Sequence, residues 1–238
     1  MTKDLSRLFQ DFKSVKEVTG LRFLCGPETT NMSYMFAGCK NLETVDCKDW
    51  QYTQNVTSMS HMFDGCVKLK SLDLSKFTTP KVKGMTSMFE GCESLTSLDL
   101  SSFTGEALMS TSRMFAGCTK LTSIDISGIV GTDDDYYMCE HMFDGCTALR
   151  TLHMDALNPQ PWGSYDEDMF KGVSSSLTCY YFSGLVTRVA SQIPGRKVAQ
   201  PDERAKVVYG RTDGGEDVLL SGVGAEVSYE RKYAGAKV

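Results

Sequence analysis

The sequence is poor in histidine and lacks the motifs that are typical of catalytic and metal-binding sites. It has three histidines in 238 residues, and two of them, His61 and His141, occupy equivalent places in a repeat. It contains no H-E-x-x-H, G-x-S-x-G or phosphate-binding glycine motif, and its cysteines lack the C-x-x-C spacing of metal sites. We therefore expect a protein that is not an enzyme, with no catalytic residue and no required cofactor.

A long apolar run and a clustered basic excess are also missing. No segment approaches the roughly 20 apolar residues that span a bilayer, and residues 1–12 lack the apolar centre of a secretory signal. The net charge is −5; residues 186–238 hold nine Lys/Arg and seven Asp/Glu, giving +2, so residues 1–185 carry −7. We expect neither a membrane span nor a nucleic-acid partner, because phosphate binding needs a basic surface.

What the chain does contain is a Met-Phe pair that recurs at nearly constant spacing. The steps between successive pairs are 27, 27, 26, 26, 28 and 27 residues. Such a period indicates a solenoid of stacked repeats, because one short repeat cannot bury its apolar side alone. The pairs, the first of them degenerate, are Leu8-Phe9, Met35-Phe36, Met62-Phe63, Met88-Phe89, Met114-Phe115, Met142-Phe143 and Met169-Phe170.

Each repeat divides into two halves with different apolar periods. In Leu98-Asp99-Leu100 apolar and polar residues alternate, which is typical of a β-strand with one buried face. The residues leading to Met88 step by three, which predicts a short helical or 3₁₀ turn that ends at Gly91. The predicted fold is an α/β solenoid of about seven repeats of 26–28 residues, each with one short strand and one short helical turn.

The units MSHMFDGCVKLKSLDLSKF and MTSMFEGCESLTSLDLSSF resemble the BspA-like leucine-rich repeats of bacterial surface proteins. The resemblance covers about residues 5–185 and rests on the M-F-x-G-C-x-x-L signature. It implies a leucine-rich-repeat-like fold, a role in adhesion and an extracellular or cell-surface location. The chain departs from that family because it shows no export signal or wall anchor, and because Phe77 and Phe103 stand where the common pattern has Asn.

The last part of the chain does not follow the repeat. The place of the next Met-Phe pair holds Gly195-Arg196, so we predict a solenoid at 1–185, a cap and linker at 186–200 and a β-rich C-terminal extension at 201–238. The extension has few large apolar residues and would be marginally stable alone. We expect it to dock on the last repeat, on a sister subunit or on another protein.

Most of the nine cysteines occupy positions that other repeats fill with apolar residues. Cys39 and Cys92, for example, follow Gly where the first repeat has Phe12. Cysteine acting as a small buried hydrophobe explains this pattern better than disulfide pairing does. Reduced core thiols favour a reducing or anaerobic setting.

One candidate binding surface is the exposed face of the predicted sheet. The outward position after the second Leu is acidic in four neighbouring repeats, which would form a row about 15 Å long. The row suits cationic groups or Ca²⁺, whereas adjacent like charges favour the alternative of solvated carboxylates with no ligand. The predicted ligand-binding residues are Asp46, Asp73, Asp99, Asp125, His153 and Tyr181.

A second candidate surface lies in two loops where the repeats become irregular. Exposed aromatic side chains among polar residues are typical of protein and carbohydrate recognition. The alternative is that Tyr136 and Trp162 fill core positions. The predicted ligand-binding residues are Asp133, Asp134, Asp135, Tyr136, Tyr137, Trp162 and Tyr165.

These patterns predict a non-catalytic binding or adhesion module for a protein or glycan ligand. The competing hypothesis is a structural subunit of a larger assembly, such as a bacteriophage virion or fibre, attached through residues 186–238. Those residues are also the predicted contact for a homo-oligomer. A cytoplasmic scaffold is the third hypothesis, and the location stays open between cell surface, virion and cytoplasm.

Overall fold

The computed structural model describes residues 3–21, 24–48, 50, 52–105, 107–129, 138–154, 168–182, 187–200, 208–211 and 217–221. The chain divides into two compact units, Met1–Ala199 and Gln200–Val238. In the second unit, β8 (Val208–Arg211) and β9 (Asp217–Ser221) pair as antiparallel strands. The finer division predicted from the sequence, with a cap and linker at 186–200, stays a prediction.

Short parallel strands stack in the first unit. A two-stranded sheet holds β1 (Glu17–Val18) and β2 (Thr44–Val45). A five-stranded sheet holds, in chain order, β3 (Ser97–Asp99), β4 (Ser123–Asp125), β5 (Thr151–Met154), β6 (Thr178–Phe182) and β7 (Arg196–Gln200). The helix α1 (Thr187–Gln192) precedes β7, and no helix among the described residues is long and apolar enough to cross a membrane.

A second parallel ladder shows how the repeats stack. Five isolated parallel bridges connect Asp4, Asn31, Ser58, Gly84, Ser110 and Met138 in succession. Residues 4–138 therefore complete five turns of a parallel β-solenoid. We call one repeat a rung, and we call its Met-Phe part the turn segment, which is residues 32–39 in the second rung. The prediction of a stacked solenoid with short strands is confirmed.

The structure does not support the predicted helical turn in each repeat, nor the α/β, leucine-rich-repeat-like character of the predicted fold. Tyr34 and Gly38 have φ of 60° and 74°, outside the helical region. The amide of Met35 bonds three residues back at 3.3 Å, whereas the amide of Phe36 donates to the Met62 carbonyl of the next rung at 2.8 Å. The turn segment is thus a series of turns in which one amide donates three residues back and the next donates to the following rung. This arrangement explains why the apolar residues recur every three positions. Left-handed φ recurs at Arg7, Asp11, His61, Ser87, Arg113, His141 and Asp168, and at Gly65, Gly91, Gly117, Gly145 and Gly172.

Two columns of aromatic rings fill the core of the solenoid. Phe63 lies 5.3 Å from Phe36 and 5.6 Å from Phe89, with interplanar angles of 6° and 4°. This column runs from Phe9 to Phe170. The second column stacks Trp50, Phe77 and Phe103. Each buried large side chain contributes about 1.5–3 kcal/mol, so these columns add substantially to the stability of the stacked rungs.

The cysteines add hydrogen bonds to this core. All nine lie among the described residues, where they are buried and form no disulfide. The thiol of Cys92 donates to the Phe63 carbonyl at 3.3 Å, and the thiol of Cys118 donates to the Phe89 carbonyl at 3.1 Å. Burial raises the pKa of the Cys92 thiol well above its ordinary value. The five thiols of the turn segments therefore act as core donors that link their rungs to the preceding ones; they are Cys39, Cys66, Cys92, Cys118 and Cys146.

Candidate binding face of the sheet

Two rows of outward side chains cover the exposed face of the five-stranded sheet. Successive residues of a strand point to opposite faces, so β3 buries Leu98 between the exposed Ser97 and Asp99. The parallel register then places equivalent residues side by side. The hydroxyl row contains Ser97, Ser123, Thr151 and Thr178, and the acidic row contains Asp99, Asp125, His153 and Tyr180.

A shallow groove of about 500 Å³ follows these two rows. It extends past β3 to Ser71 and Asp73, which occupy the same positions one rung earlier. Its floor is apolar where the buried strand residues approach the surface. The lining residues are Ser71, Leu72, Asp73, Ser97, Leu98, Asp99, Ser123, Ile124, Asp125, Thr151 and His153.

The aspartates of the acidic row have a role in the fold. Oδ1 of Asp99 accepts a hydrogen bond from the Ser101 amide at 2.9 Å, and Oδ1 of Asp125 accepts one from the Ser127 amide at 2.8 Å. A hydrogen bond of this kind, donated by the amide two residues after the aspartate, closes a turn at the end of the strand. Within the part of the chain that the structure describes, Oδ2 of Asp99 and Asp125 has no hydrogen-bond partner. One oxygen of each carboxylate thus serves the fold, and the other remains for solvent or a ligand.

The two N-terminal aspartates of the prediction differ in their surroundings. Hydrogen bonds from the Ser75 hydroxyl and amide hold the pKa of Asp73 below its ordinary value, so this exposed group stays ionised. Oδ2 of Asp46 lies 3.2 Å from Nζ of Lys48, which partly compensates its charge. Asp46 follows β2 and does not line the groove. The uncompensated charge of the groove is therefore centred on Asp73, Asp99 and Asp125.

An aromatic pair follows the aspartates along the acidic row. The ring of His153 stacks on Tyr180 with centroids 4.4 Å apart and an interplanar angle of 4°. Both residues are half-buried. The rings stack on each other along the row, which covers one flat face of each ring. This pair adds a partly apolar surface to the row.

The predicted place of Tyr181 in this row is corrected by the register. Tyr181 pairs with Met154 and packs against the core, whereas Tyr180 lies opposite His153. The last repeat has one residue fewer between Leu177 and the strand than the preceding repeats have. The inward position therefore falls on Cys179, which is fully buried.

The other sequence predictions for this site have mixed outcomes. Among the described residues, no group of three or more His, Cys, Asp or Glu side chains is placed to hold a metal ion, so the geometry gives no support to the Ca²⁺ prediction. The second candidate surface lies outside the described residues and stays a prediction. It comprises Asp133, Asp134, Asp135, Tyr136, Tyr137, Trp162 and Tyr165.

The repeat region of this chain matches a known protein family. A family described as "Mycoplasma protein of unknown function, DUF285" matches residues 3–129 and, in a second alignment, residues 30–157. The two ranges together span well over half of the 238 residues. This chain belongs to the DUF285 family. Comparison with the curated proteins finds no match.

The DUF285 ranges include part of the candidate site. Asp73, Asp99, Asp125 and His153 lie within the matched residues, whereas Tyr180 lies beyond residue 157. The family description assigns no activity, ligand or location. The function of the groove must therefore be argued from its own chemistry.

Proposed function

We propose that this chain is a non-catalytic binding module, akin to the BspA-like repeats it resembles, which recognises a protein or glycan ligand through the groove of the sheet. The observation that carries the proposal is the groove of about 500 Å³ lined by parallel rows of carboxylates and hydroxyls. Carboxylate oxygens accept hydrogen bonds from cationic and hydroxyl-rich ligands, and hydroxyls both donate and accept. A scaffold of stacked rungs holds these groups in fixed positions, which lowers the entropy lost on binding.

The charge of the groove favours ligands that carry hydrogen-bond donors or positive charge. Asp73, Asp99 and Asp125 repeat at the strand spacing of about 4.8 Å, and none of them forms an ion pair within the described residues. Neighbouring like charges repel each other, so a ligand that supplies donors relieves an existing strain. Binding should therefore weaken as salt increases, since exposed charges are screened.

The test is a ligand screen of the full chain against glycan and protein panels. The groove variant replaces Asp73, Asp99 and Asp125 with Asn. A charge-matched control replaces Glu28, Glu93 and Glu140 with Gln, because none of these three lines the groove. We expect ligands that bind the wild-type chain and the control equally and that lose affinity at least about ten-fold for the groove variant. Equal binding to both variants, or no ligand for the wild-type chain in either panel, would contradict the proposal.

The second candidate function is a structural subunit of a larger assembly, attached through residues 186–238. The observation that favours it is the separate compact unit formed by Gln200–Val238, with its β8–β9 hairpin. Light scattering of the full chain and of a chain ending at residue 200 separates the two functions. A full-length oligomer that becomes monomeric after truncation would favour the assembly subunit, and monomers in both cases would favour the binding module.

A further inference from the structure

Five cysteines form a column in the core of the solenoid. They occupy the same position in five consecutive rungs, directly after the left-handed glycine of the turn segment. The flanking rungs hold Phe12 and Val173 at this position. We call the five residues the thiol column, and each is at most 1% exposed: Cys39, Cys66, Cys92, Cys118 and Cys146.

Neighbouring thiols of the column are held close to each other by shared backbone acceptors. The Cys66 thiol donates to the Phe36 carbonyl at 3.2 Å, and the Cys39 amide donates to the same oxygen at 3.1 Å. The Cys92 thiol and the Cys66 amide share the Phe63 carbonyl in the same way, at 3.3 and 3.0 Å. Each thiol therefore lies beside the cysteine of the preceding rung. Since neighbouring parallel strands are about 4.8 Å apart, successive sulfurs are separated by about 5 Å.

This spacing does not suit disulfide bonds. A disulfide needs Cβ atoms about 3.5–4.5 Å apart and sulfurs about 2.05 Å apart. The five thiols donate to equivalent carbonyls, so they have the same orientation in every rung. Their Cβ atoms and their sulfurs are therefore both separated by a full rung, which explains why these closely spaced cysteines are all free.

The same spacing suits a soft metal ion with two sulfur ligands. Two metal–sulfur bonds of about 2.3 Å in one line span about 4.6 Å, which is close to the separation of two rungs. Thiolates are the ligands that favour Cu(I), and Cu(I) accepts two sulfur ligands in a line. Zinc takes four ligands, and the described residues contain no group of three or more His, Cys, Asp or Glu side chains placed to hold a metal ion. The column therefore favours Cu(I) over zinc.

The backbone around the column can stabilise thiolates. Burial raises the pKa of Cys92 and of Cys118, and a backbone hydrogen bond from the preceding cysteine of the column opposes this rise. A cation between two sulfurs favours their deprotonation further, because it supplies the positive charge that a buried thiolate lacks. Each bound ion would release the protons of two thiols to solvent.

We propose that the thiol column is a binding site for Cu(I), in which each ion joins the sulfurs of two neighbouring rungs. Five thiols in a row provide two separate pairs and leave one thiol over. The carbonyls that lose a thiol donor keep an amide donor; for example, the Phe89 carbonyl keeps the Cys92 amide at 3.1 Å. Ion binding therefore leaves these buried acceptors with a partner.

The test counts the ions that the full chain binds, and it depends on the position of the replaced thiol. The chain is titrated with Cu(I) without oxygen, against a coloured Cu(I) chelator as competitor. Cys92→Ala leaves the pairs Cys39–Cys66 and Cys118–Cys146, so it should bind as many ions as the wild-type chain. Cys66→Ala isolates Cys39 and leaves three thiols, so it should bind one ion fewer.

The two variants are matched controls for each other. Both remove one fully buried thiol of the column, and the cysteines outside the column are the same in both. Cys118→Ala, which isolates Cys146, should also bind one ion fewer and replaces Cys66→Ala if that variant does not fold. Cys47→Ala removes a buried thiol outside the column and should leave the count unchanged.

Circular dichroism shows whether the chain stays folded during the titration. We expect the folded spectrum at every Cu(I) concentration up to the full count. Equal counts for Cys66→Ala and Cys92→Ala, including no uptake by either, would overturn the proposal. Uptake that occurs only as the folded spectrum is lost would overturn it as well, because the ligands would then be thiols of the unfolded chain.

Discussion

The turn side and the sheet side of the solenoid repeat with very different regularity. On the turn side, the phenylalanine column and the inter-rung hydrogen bonds continue from Phe9 to Phe170. On the sheet side, the strands form two separate sheets, and the outward residues change from aspartate to histidine and tyrosine. The buried residues and hydrogen bonds of the turn side hold the rungs together. The exposed residues of the sheet side are therefore free to vary in chemistry.

The largest expected effect tests the turn side directly. Phe89 is fully buried between Phe63 and Phe115, with centroids 5.6 Å away on each side. Phe89→Ala should lower the free energy of unfolding by about 3–5 kcal/mol, because it leaves a cavity in the column. Urea denaturation measures the change. Ser97→Ala on the sheet side serves as the control and should stay within about 0.5 kcal/mol; equal losses would remove the contrast between the two sides.

Alkaline pH should lower the free energy of unfolding through buried thiols on both the turn side and the sheet side. Burial raises the pKa of Cys47 on the sheet side and of Cys146 on the turn side from 9.0 to about 12. The unfolded chain ionises its thiols near pH 9 and the folded chain keeps them neutral. The stability from each neutral thiol is therefore complete below pH 9 and is lost between pH 9 and about 12, at about 1.4 kcal/mol per pH unit.

Single variants separate these two thiols. Cys47→Ala and Cys146→Ala should each reduce the slope of unfolding free energy against pH above pH 9 by the same amount, and neither should change it below pH 8. Urea unfolding between pH 7 and pH 11 provides the measurement. A wild-type slope in either variant would mean that the replaced thiol ionises in the folded chain as readily as in the unfolded one.

Glycine substitution compares the backbone of the two sides. Gly117 in a turn segment and Gly20 after β1 have φ of 74° and 71°. Gly117→Ala and Gly20→Ala should each cost about 1–2 kcal/mol, because a side chain disfavours this left-handed conformation. A Cβ on Gly117 would lie 3.6 Å from the backbone of Gly91, and a Cβ on Gly20 would meet nothing within 4 Å. Thermal unfolding measures both variants. A much greater loss of stability for Gly117→Ala than for Gly20→Ala would indicate that crowding between rungs is the dominant cause.

The smallest effect is expected in the acidic row. Asp99→Asn and Asp125→Asn should change the free energy of unfolding by less than about 0.5 kcal/mol, because the amide oxygen of Asn accepts the same backbone hydrogen bond. Loss of repulsion between neighbouring carboxylates opposes any weakening. Urea denaturation of both variants provides the measurement. A loss of more than about 1.5 kcal/mol would assign these residues to the fold and weaken their case as a binding site.

The sequence carries enough information for the stacking but not for the turn conformation. The period of the Met-Phe pair and the alternation in Leu98-Asp99-Leu100 predict stacked rungs and short strands, because burial imposes both patterns. The step of three is ambiguous, since a helix and a series of turns bury every third residue alike. The left-handed residues Tyr34 and Arg113 are not Gly, Asn, Asp or His, so their identity gives no sign of their conformation.

The residues of the candidate site were also only partly predictable from the sequence. Asp73, Asp99 and Asp125 follow from counting along the repeat, because those repeats keep a constant distance between Leu and Asp. The last repeat is shorter by one residue at this point, so counting from Leu177 leads to Tyr181 and not to Tyr180. The alternation of the buried Cys179 with Tyr180 is the signal that locates the outward residue.

The backbone hydrogen bonds between turn segments, such as the one from the Phe36 amide to the Met62 carbonyl, run towards the C-terminal rung and have an electrostatic consequence. Each peptide group is a dipole of about 3.5 D, and dipoles aligned along one axis add up. In an α-helix the N–H groups point to the N-terminus, whereas the inter-rung amides here point to the C-terminal end of the solenoid. The aligned peptide groups of the turn segments therefore carry an axial dipole opposite to that of a helix, with its negative pole towards the N-terminal rung.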